Sequence, residues 1–297
     1  MSLQIALIGY GEVGQLFARE FVRKSRASVA AYDRKFESPS ERAALAKIAA
    51  EDDVRLAENS AGAVVGADIV ISAVTADQAT AAAAAAASSL KPGQTYVDLN
   101  SVSPSTKRSV AAAIRPSGAD FLEFAVMSPV AGLGIASPVL AGGARAREWA
   151  DRLNRLGMKI EAVSAEIGVA SATKLCRSIV IKGLEAIMVD LNLAAAEAGV
   201  MPAVLASLTA SYPGMDWAEA ARIMPTRVAR HGIRRAAEMR EAARMLEEMG
   251  LSGAFPAAIA DRHERYAEDT VIPAKARIQG VVELTASAAL RADARPR

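Results

Sequence analysis

The chain has 297 residues, which at roughly 150 residues per domain predicts about two domains. Its 52% hydrophobic and 23% charged content excludes a largely disordered chain, and a net charge of +2 excludes nucleic acid as the main partner. A single cysteine, Cys176, excludes a disulfide-stapled secreted scaffold.

Short apolar runs at residues 3–8, 29–32, 69–73, 95–98, 121–126 and 159–162 predict strands. Residues 12–24 and 40–50, between them, have helical period. The alanine-rich run over residues 79–87 predicts a helix, stopped by Lys91-Pro92-Gly93. Strands alternating with helices predict an α/β domain, a doubly wound parallel sheet with helices on both faces.

From about Glu166 no further strand is predicted. Residues 166–198 read as one helix of about 33 residues, roughly 50 Å long. Its apolar side chains do not share one stripe, which predicts burial on most sides, Cys176 included, and a homodimer that supplies the cover. Lys182, Glu185 and Asp190 interrupt it, so it is not a membrane span. No leader pattern is visible at the N-terminus, and a cytoplasmic protein is expected.

Further helices are predicted over residues 202–211, 218–224, 226–249 and 255–266, and residues 273–297 begin helical and end as a basic tail. The domain boundary is expected near Val163. Residues 1–163 then form the α/β domain and residues 164–297 an all-α domain.

The chemistry begins at Gly9-Tyr10-Gly11-Glu12-Val13-Gly14, a G-x-G-x-x-G directly after a strand and at a helix start. Gly9 permits the tight turn, Gly11 lets the backbone approach a pyrophosphate, and Gly14 lets helix and strand pack closely. The helix start offers its N–H groups to the anion. Asp33 ends the second strand, nineteen residues after Gly14, where a carboxylate accepts from the adenosine ribose. This is the pattern of a Rossmann-type domain that binds NAD or NADP. Asp33 favours NAD, whereas Arg34 and Lys35 would suit a 2′-phosphate; NAD is preferred.

Together the motifs resemble the β-hydroxyacid dehydrogenases, the group that contains 3-hydroxyisobutyrate and 6-phosphogluconate dehydrogenases. The segment Asp98-Leu99-Asn100-Ser101-Val102-Ser103-Pro104 resembles the family's D-x-S-T-x-x-P. Residues 121–130 stand in the place of its substrate segment, and Gly168 with Lys174 resembles its G-x(5)-K signature. The C-terminal half is similar to a divergent subgroup with a phosphogluconate-dehydrogenase-like helical domain. The resemblance implies that Lys174 is the acid/base and that a second lysine, Lys182, belongs to the pattern. Ser178 replaces the family's asparagine, Met127-Ser128-Pro129 replaces its Ser-Gly-Gly loop, and Ala237-Glu238-Met239 its later Lys-Asp-Leu.

Alcohol oxidation needs a held nicotinamide, a base for the hydroxyl proton and a hold on the substrate's charge. Ala73, Val74, Thr75 and Asn100 are expected on the cofactor at the strand exits. Ser101, Met127, Ser128, Lys182 and Arg235 are expected on a small anionic substrate, and Lys174 and Ser178 at the reacting oxygen. For Lys182 a lysine snorkelling at a domain interface is the preferred reading; the same reading competes for Lys174, helix packing competes for Ser178, and for Arg227, Arg230 and Arg234 a solvated helix face is preferred. His231 and His263 have no motif around them and make no metal site. Tyr212 and Trp217 flank a turn and are expected to pack. The leading activity is hydride transfer between NAD(P) and a β-hydroxyacid or its carbonyl. The alternatives are an imine reductase-like activity and a non-catalytic dinucleotide-binding or redox-sensing role.

Overall fold

The computed structural model describes residues 3–271; the helix and basic tail expected over residues 273–297 lie outside them. The chain divides into two compact units, Met1–Lys174 and Leu175–Arg297.

The first unit runs β1 (Gln4–Ile8), α1 (Glu12–Ser25), β2 (Ser28–Tyr32), α2 (Pro39–Glu51), β3 (Arg55–Leu56), α3 (Ser60–Val64), β4 (Ile69–Ser72), α4 (Ala79–Ala87) and β5 (Thr95–Asp98). It continues through α5 (Pro104–Ile114), β6 (Asp120–Val126), β7 (Pro138–Gly142), α6 (Ala146–Asn154) and β8 (Lys159–Ser164) to the start of α7 (Val169–Glu197). One eight-stranded sheet has the order β3-β2-β1-β4-β5-β6-β7-β8. All pairings are parallel except β6 with β7.

Alternation along each strand feeds two cores. Ile5 and Leu7 of β1 and Ile69 and Ile71 of β4 face Phe17 and Phe21 of α1 and Trp149 of α6. Ala6, Ile8 and Val70 face Ala63 of α3, Ala83 of α4 and Val110 of α5. Successive strand residues point to opposite faces, so a strand covered on both sides is apolar throughout. All four residues of β4 are buried accordingly. Within this core the Trp149 indole donates to Thr95 Oγ1 at 2.8 Å.

Two strands and three helices of this unit were not expected from the sequence. The two-residue β3 is too short to carry a period. Strand β7 starts at Pro138 and ends at Gly142, residues of low strand propensity; its ladders to β6 and β8 outweigh that. Helix α5 has a local signal: Ser103 Oγ accepts the Thr106 N–H at 3.3 Å and Pro104 opens the helix. Helix α3 is capped likewise by Asn59, which accepts from Gly62 at 2.8 Å. Helix α6 buries Trp149 and Leu153 on one face.

The second unit holds the remainder of α7, then α8 (Met201–Ser211), α9 (Trp217–Glu248) and α10 (Ala254–Val271). Two expectations are corrected here. The proline at 225 does not split a helix in two; α9 is continuous over 32 residues with Pro225 buried inside it. Packing of Ala221, Pro225 and Val228 on one buried face compensates the lost donor. Helix α7 is not buried on most sides: Val180 is 61% and Ile187 52% exposed, and Cys176 is exposed rather than in the core. Gly183 faces Ile259 and Phe255 of α10, and Met188 packs with Ala220 and Ala221 of α9, so α9 and α10 both cover it. None of the helices over the described residues is long and apolar enough to cross a membrane.

The close approach of α9 and α10 rests on Gly232. A Cβ there would overlap the carbonyl oxygen of His263 and lie 2.7 Å from the Ala267 Cβ. Gly232→Ala is expected to lower stability by about 1–3 kcal/mol despite alanine's better helix propensity, measured by denaturant unfolding.

Candidate active site

The carboxyl ends of the parallel strands put their exits on one edge of the sheet. Gly9 N–H bonds the Tyr32 carbonyl, Ala73 N–H the Ile8 carbonyl and Leu99 N–H the Ser72 carbonyl, at 2.8–2.9 Å. The glycine loop, Ala73-Val74-Thr75 and Asn100-Ser101 therefore leave the sheet side by side. Met127 and Ser128 leave β6 at this same edge, with Met127 N–H on the Pro138 carbonyl at 2.8 Å. Crevices at this edge are where open α/β sheets bind ligands.

The glycine loop has the shape a dinucleotide needs. Gly9 has φ +98°, and a Cβ on it would overlap the Ala73 carbonyl. A Cβ on Gly14 would overlap the Gly9 carbonyl. In front of Gly11 there is open space, and Gly11 caps α1 without a side-chain partner. The N–H groups of Glu12, Val13 and Gly14 in the first turn have no intrahelical carbonyl, so they suit a phosphate. The Tyr10 ring is fully buried, which leaves only its backbone at the loop surface.

Asp33 closes the loop from β2. Its Oδ2 accepts the Tyr10 N–H at 2.7 Å and its Oδ1 the Lys35 N–H at 2.9 Å. Two backbone donors hold the carboxylate, and its other lone pairs remain for ribose hydroxyls. Arg34 reaches across to the β4 exit, donating to Gln78 Oε1 at 2.6 Å.

The β5 exit is built on buried charge that the sequence did not announce. Asp98 and Lys107 are both buried and pair at 3.0 Å, and Lys107 also donates to the Asp98 carbonyl at 2.8 Å. Asn100 donates from Nδ2 to Asp98 and, at 3.3 Å, to Ser72. Its Oδ1 is buried without a protein partner, as is Ser128 Oγ. Orphaned polar atoms at a strand exit fit a ligand that brings donors. Beside them the Lys174 amine donates a short hydrogen bond to Ser101 Oγ. Lys174 is half-buried.

The remaining expected residues lie in the second unit, and each has a carboxylate. Ser178 donates to Glu238 Oε1 at 2.5 Å, and Lys182 donates to the same oxygen at 2.8 Å and to Ser178 Oγ at 3.3 Å. Arg235 pairs with the buried Glu185, which Arg227 approaches at 3.9 Å. Burial raises the Glu185 carboxyl above the usual range, against the opposing pull of Arg235, Lys182 and Arg227. Glu238 and Glu185 were visible in the sequence only as helix-face acids, because the hydrogen-bond partners Lys182 and Arg235 stand 56 and 50 residues away. Tyr212 is exposed, its ring 6.2 Å from that of Trp217.

The chain matches two family models and is similar to three solved structures. Residues 4–164 match the family model described as the NAD binding domain of 6-phosphogluconate dehydrogenase, and residues 195–266 match a domain of unknown function, DUF1932. The crystal structure of a conserved hypothetical protein from Sinorhizobium meliloti is 37% identical, with a TM-score of 0.79 over 97% of each chain. A conserved protein of unknown function, described as structurally similar to 3-hydroxyacid dehydrogenases, is 30% identical, with a TM-score of 0.71 over 91% of this chain and 98% of its own. The 3-hydroxyisobutyrate dehydrogenase of Mycobacterium tuberculosis, solved with L-serine, is 20% identical and shares the fold, with a TM-score of 0.73 over 96% of this chain and 99% of its own.

His263 carries a pH dependence. It is fully buried, with Nε2 on the Lys182 carbonyl at 3.0 Å. Burial first, then Arg235 and Lys182, lowers its pKa from 6.5 to about 4, against the pull of that carbonyl. The folded state therefore binds the proton later than the unfolded chain. The stability is complete above pH ~6.5 and is lost as the pH falls toward ~4, by on the order of 3 kcal/mol from this residue. Unfolding curves across that range are expected to show this slope, and His263→Gln to remove it.

Proposed function

Because the chain belongs to the dehydrogenase family defined by the NAD binding domain of 6-phosphogluconate dehydrogenase, we propose that this NAD(P)-dependent oxidoreductase acts on a small β-hydroxyacid, or its carbonyl form, with Lys174 as acid/base. The observation that carries the reading is the Lys174–Ser101 contact at the β5 exit, on the ligand-binding edge of the sheet.

Gly9 to Gly14 hold the pyrophosphate on the start of α1, and Asp33 takes the adenosine ribose. Ala73, Val74, Thr75 and Asn100 line the further course of the dinucleotide. When bound, the nicotinamide supplies the hydride acceptor or donor. Lys174 Nζ takes the hydroxyl proton in oxidation and returns one to the carbonyl oxygen in reduction; Ser101 Oγ holds that amine in place. Ser101, Met127 and Ser128 meet the substrate from the strand exits. Lys182 and Arg235 draw its anion, each with its charge shared with a glutamate. Ser178 already donates its hydrogen bond to Glu238, so its part is that of a polar anchor tied to that acid. NAD is the preferred cofactor, since Asp33 repels a 2′-phosphate. The exposed Val180 and Ile187 of α7 support a homodimer, and a reducing, cytoplasmic setting suits the exposed Cys176 thiol.

The test is a crossed assay of NAD and NADP against hydroxyacids, carbonyls and imines of graded size, read at the nicotinamide absorbance. Turnover is expected with a hydroxyacid. Thermal stabilisation by the dinucleotide without turnover on any of these compounds would leave a non-catalytic nucleotide holder. Lys174→Ala is expected to lower kcat by about a hundredfold or more, with dinucleotide affinity kept within about threefold. Normal turnover in that variant would remove the lysine from the mechanism. Sedimentation at micromolar protein is expected to give a dimer; monomer alone would remove that part.

A further inference from the structure

Glu123 stands on β6 and is fully buried. Its Oε1 accepts the N–H groups of Gly168 at 2.7 Å and Ala170 at 3.1 Å, and its Oε2 faces the N–H of Ser171 at 3.4 Å. These are donors that the first turn of α7 leaves without a carbonyl. The usual cap is a Ser, Thr, Asp or Asn beside the helix. Here Ile167 and Gly168 offer no such side chain, and the cap comes from a strand 45 residues earlier. A carboxylate at this point also meets the positive end of the helix dipole.

The surroundings leave this carboxylate no other place. A Cβ on Gly142 of β7 would lie 2.6 Å from Glu123 Oε1. Gly168 has φ +110°, and a Cβ on it would lie 2.9 Å from Arg108 Nη1 and 3.0 Å from the Pro104 Cβ. The start of α7 thus rests against the start of α5, three residues past Ser101. Lys174 follows Ser171 by about one turn, so the height and rotation of that first turn decide where its amine arrives.

We propose that Glu123 is a positioning residue for Lys174: its carboxylate sets the start of α7 and thereby the contact of the Lys174 amine with Ser101. The catalytic consequence rests on the acid/base reading of Lys174 given above. Glu123 touches neither substrate nor cofactor in that reading; it acts through the helix.

The experiment uses the full chain with Glu123→Gln, which keeps one acceptor but sets an NH2 group against the helix donors, and with Glu123→Leu, which removes both acceptors. The deciding readout is the side-chain NMR resonance of Lys174 in lysine-labelled protein, assigned with Lys174→Ala. It is expected to move in Glu123→Gln while those of Lys47 and Lys91 stay. The kcat is expected to fall about tenfold in Glu123→Gln and further in Glu123→Leu, with KM for the dinucleotide within about threefold. An unmoved Lys174 resonance in Glu123→Gln overturns the inference, whatever happens to kcat. A loss of kcat matched by an equal loss of dinucleotide binding also overturns it, as the mark of a merely structural role. If Glu123→Leu does not fold, Glu123→Gln decides alone. If Lys174→Ala itself turns over normally, the acid/base reading falls, and the resonance still decides whether Glu123 places the amine.

Discussion

A parallel sheet delivers all its strand exits to one edge, and the chemistry of this protein depends on what stands there. Strands β1, β4, β5 and β6 end together because their ladders run in step. The glycine loop follows β1, and Ala73 packs so closely behind Gly9 that no side chain fits between them. The backbone itself then forms the surface of the loop, with open space in front of Gly11. Ser101 follows β5, and the amine of Lys174 is brought to it from the start of α7.

Among the described residues, buried charges in both units meet a counter-charge or backbone donors. Asp98 and Lys107 lie beneath the β5 exit, each with the other and with further hydrogen bonds. A buried pair of this kind contributes little net stability, because desolvation offsets the attraction. Removing either partner alone would leave an uncompensated buried charge. Glu185 with Arg235, and Glu238 with Lys182, repeat the arrangement in the helical unit. There the pairing changes the meaning of the basic residues, which carry a counter-charge of their own before any anion arrives.

The helical unit illustrates how burial overrides propensity. Pro225 lacks the donor a helix interior needs, yet α9 runs through it because that position faces inward among apolar neighbours. Gly232, a poor helix former, is retained where α10 comes within reach of its backbone. Helix α7 packs on α9 and α10 and leaves Val180 and Ile187 outside, so its apolar periphery is only partly used within the chain.

The sequence by itself determined the fold class and the cofactor loop, because both are written in local signals: strand-sized apolar runs, helical periods, and glycines at positions where only glycine fits. It also drew attention to Lys174, through the resemblance of the Gly168–Lys174 spacing to a family signature. It did not disclose β7, whose Pro138 and Gly142 read as loop until two neighbouring strands pair with it. Nor did it disclose Glu123, Lys107, Glu185 or Glu238 as partners, or the exposure of Cys176. Those depend on which side chains meet across long separations, and a carboxylate on a strand carries no local mark of the helix start that folding brings to it. Only the tertiary structure decides such pairings, because the cost of an unpaired buried charge is felt only once the chain has closed around it.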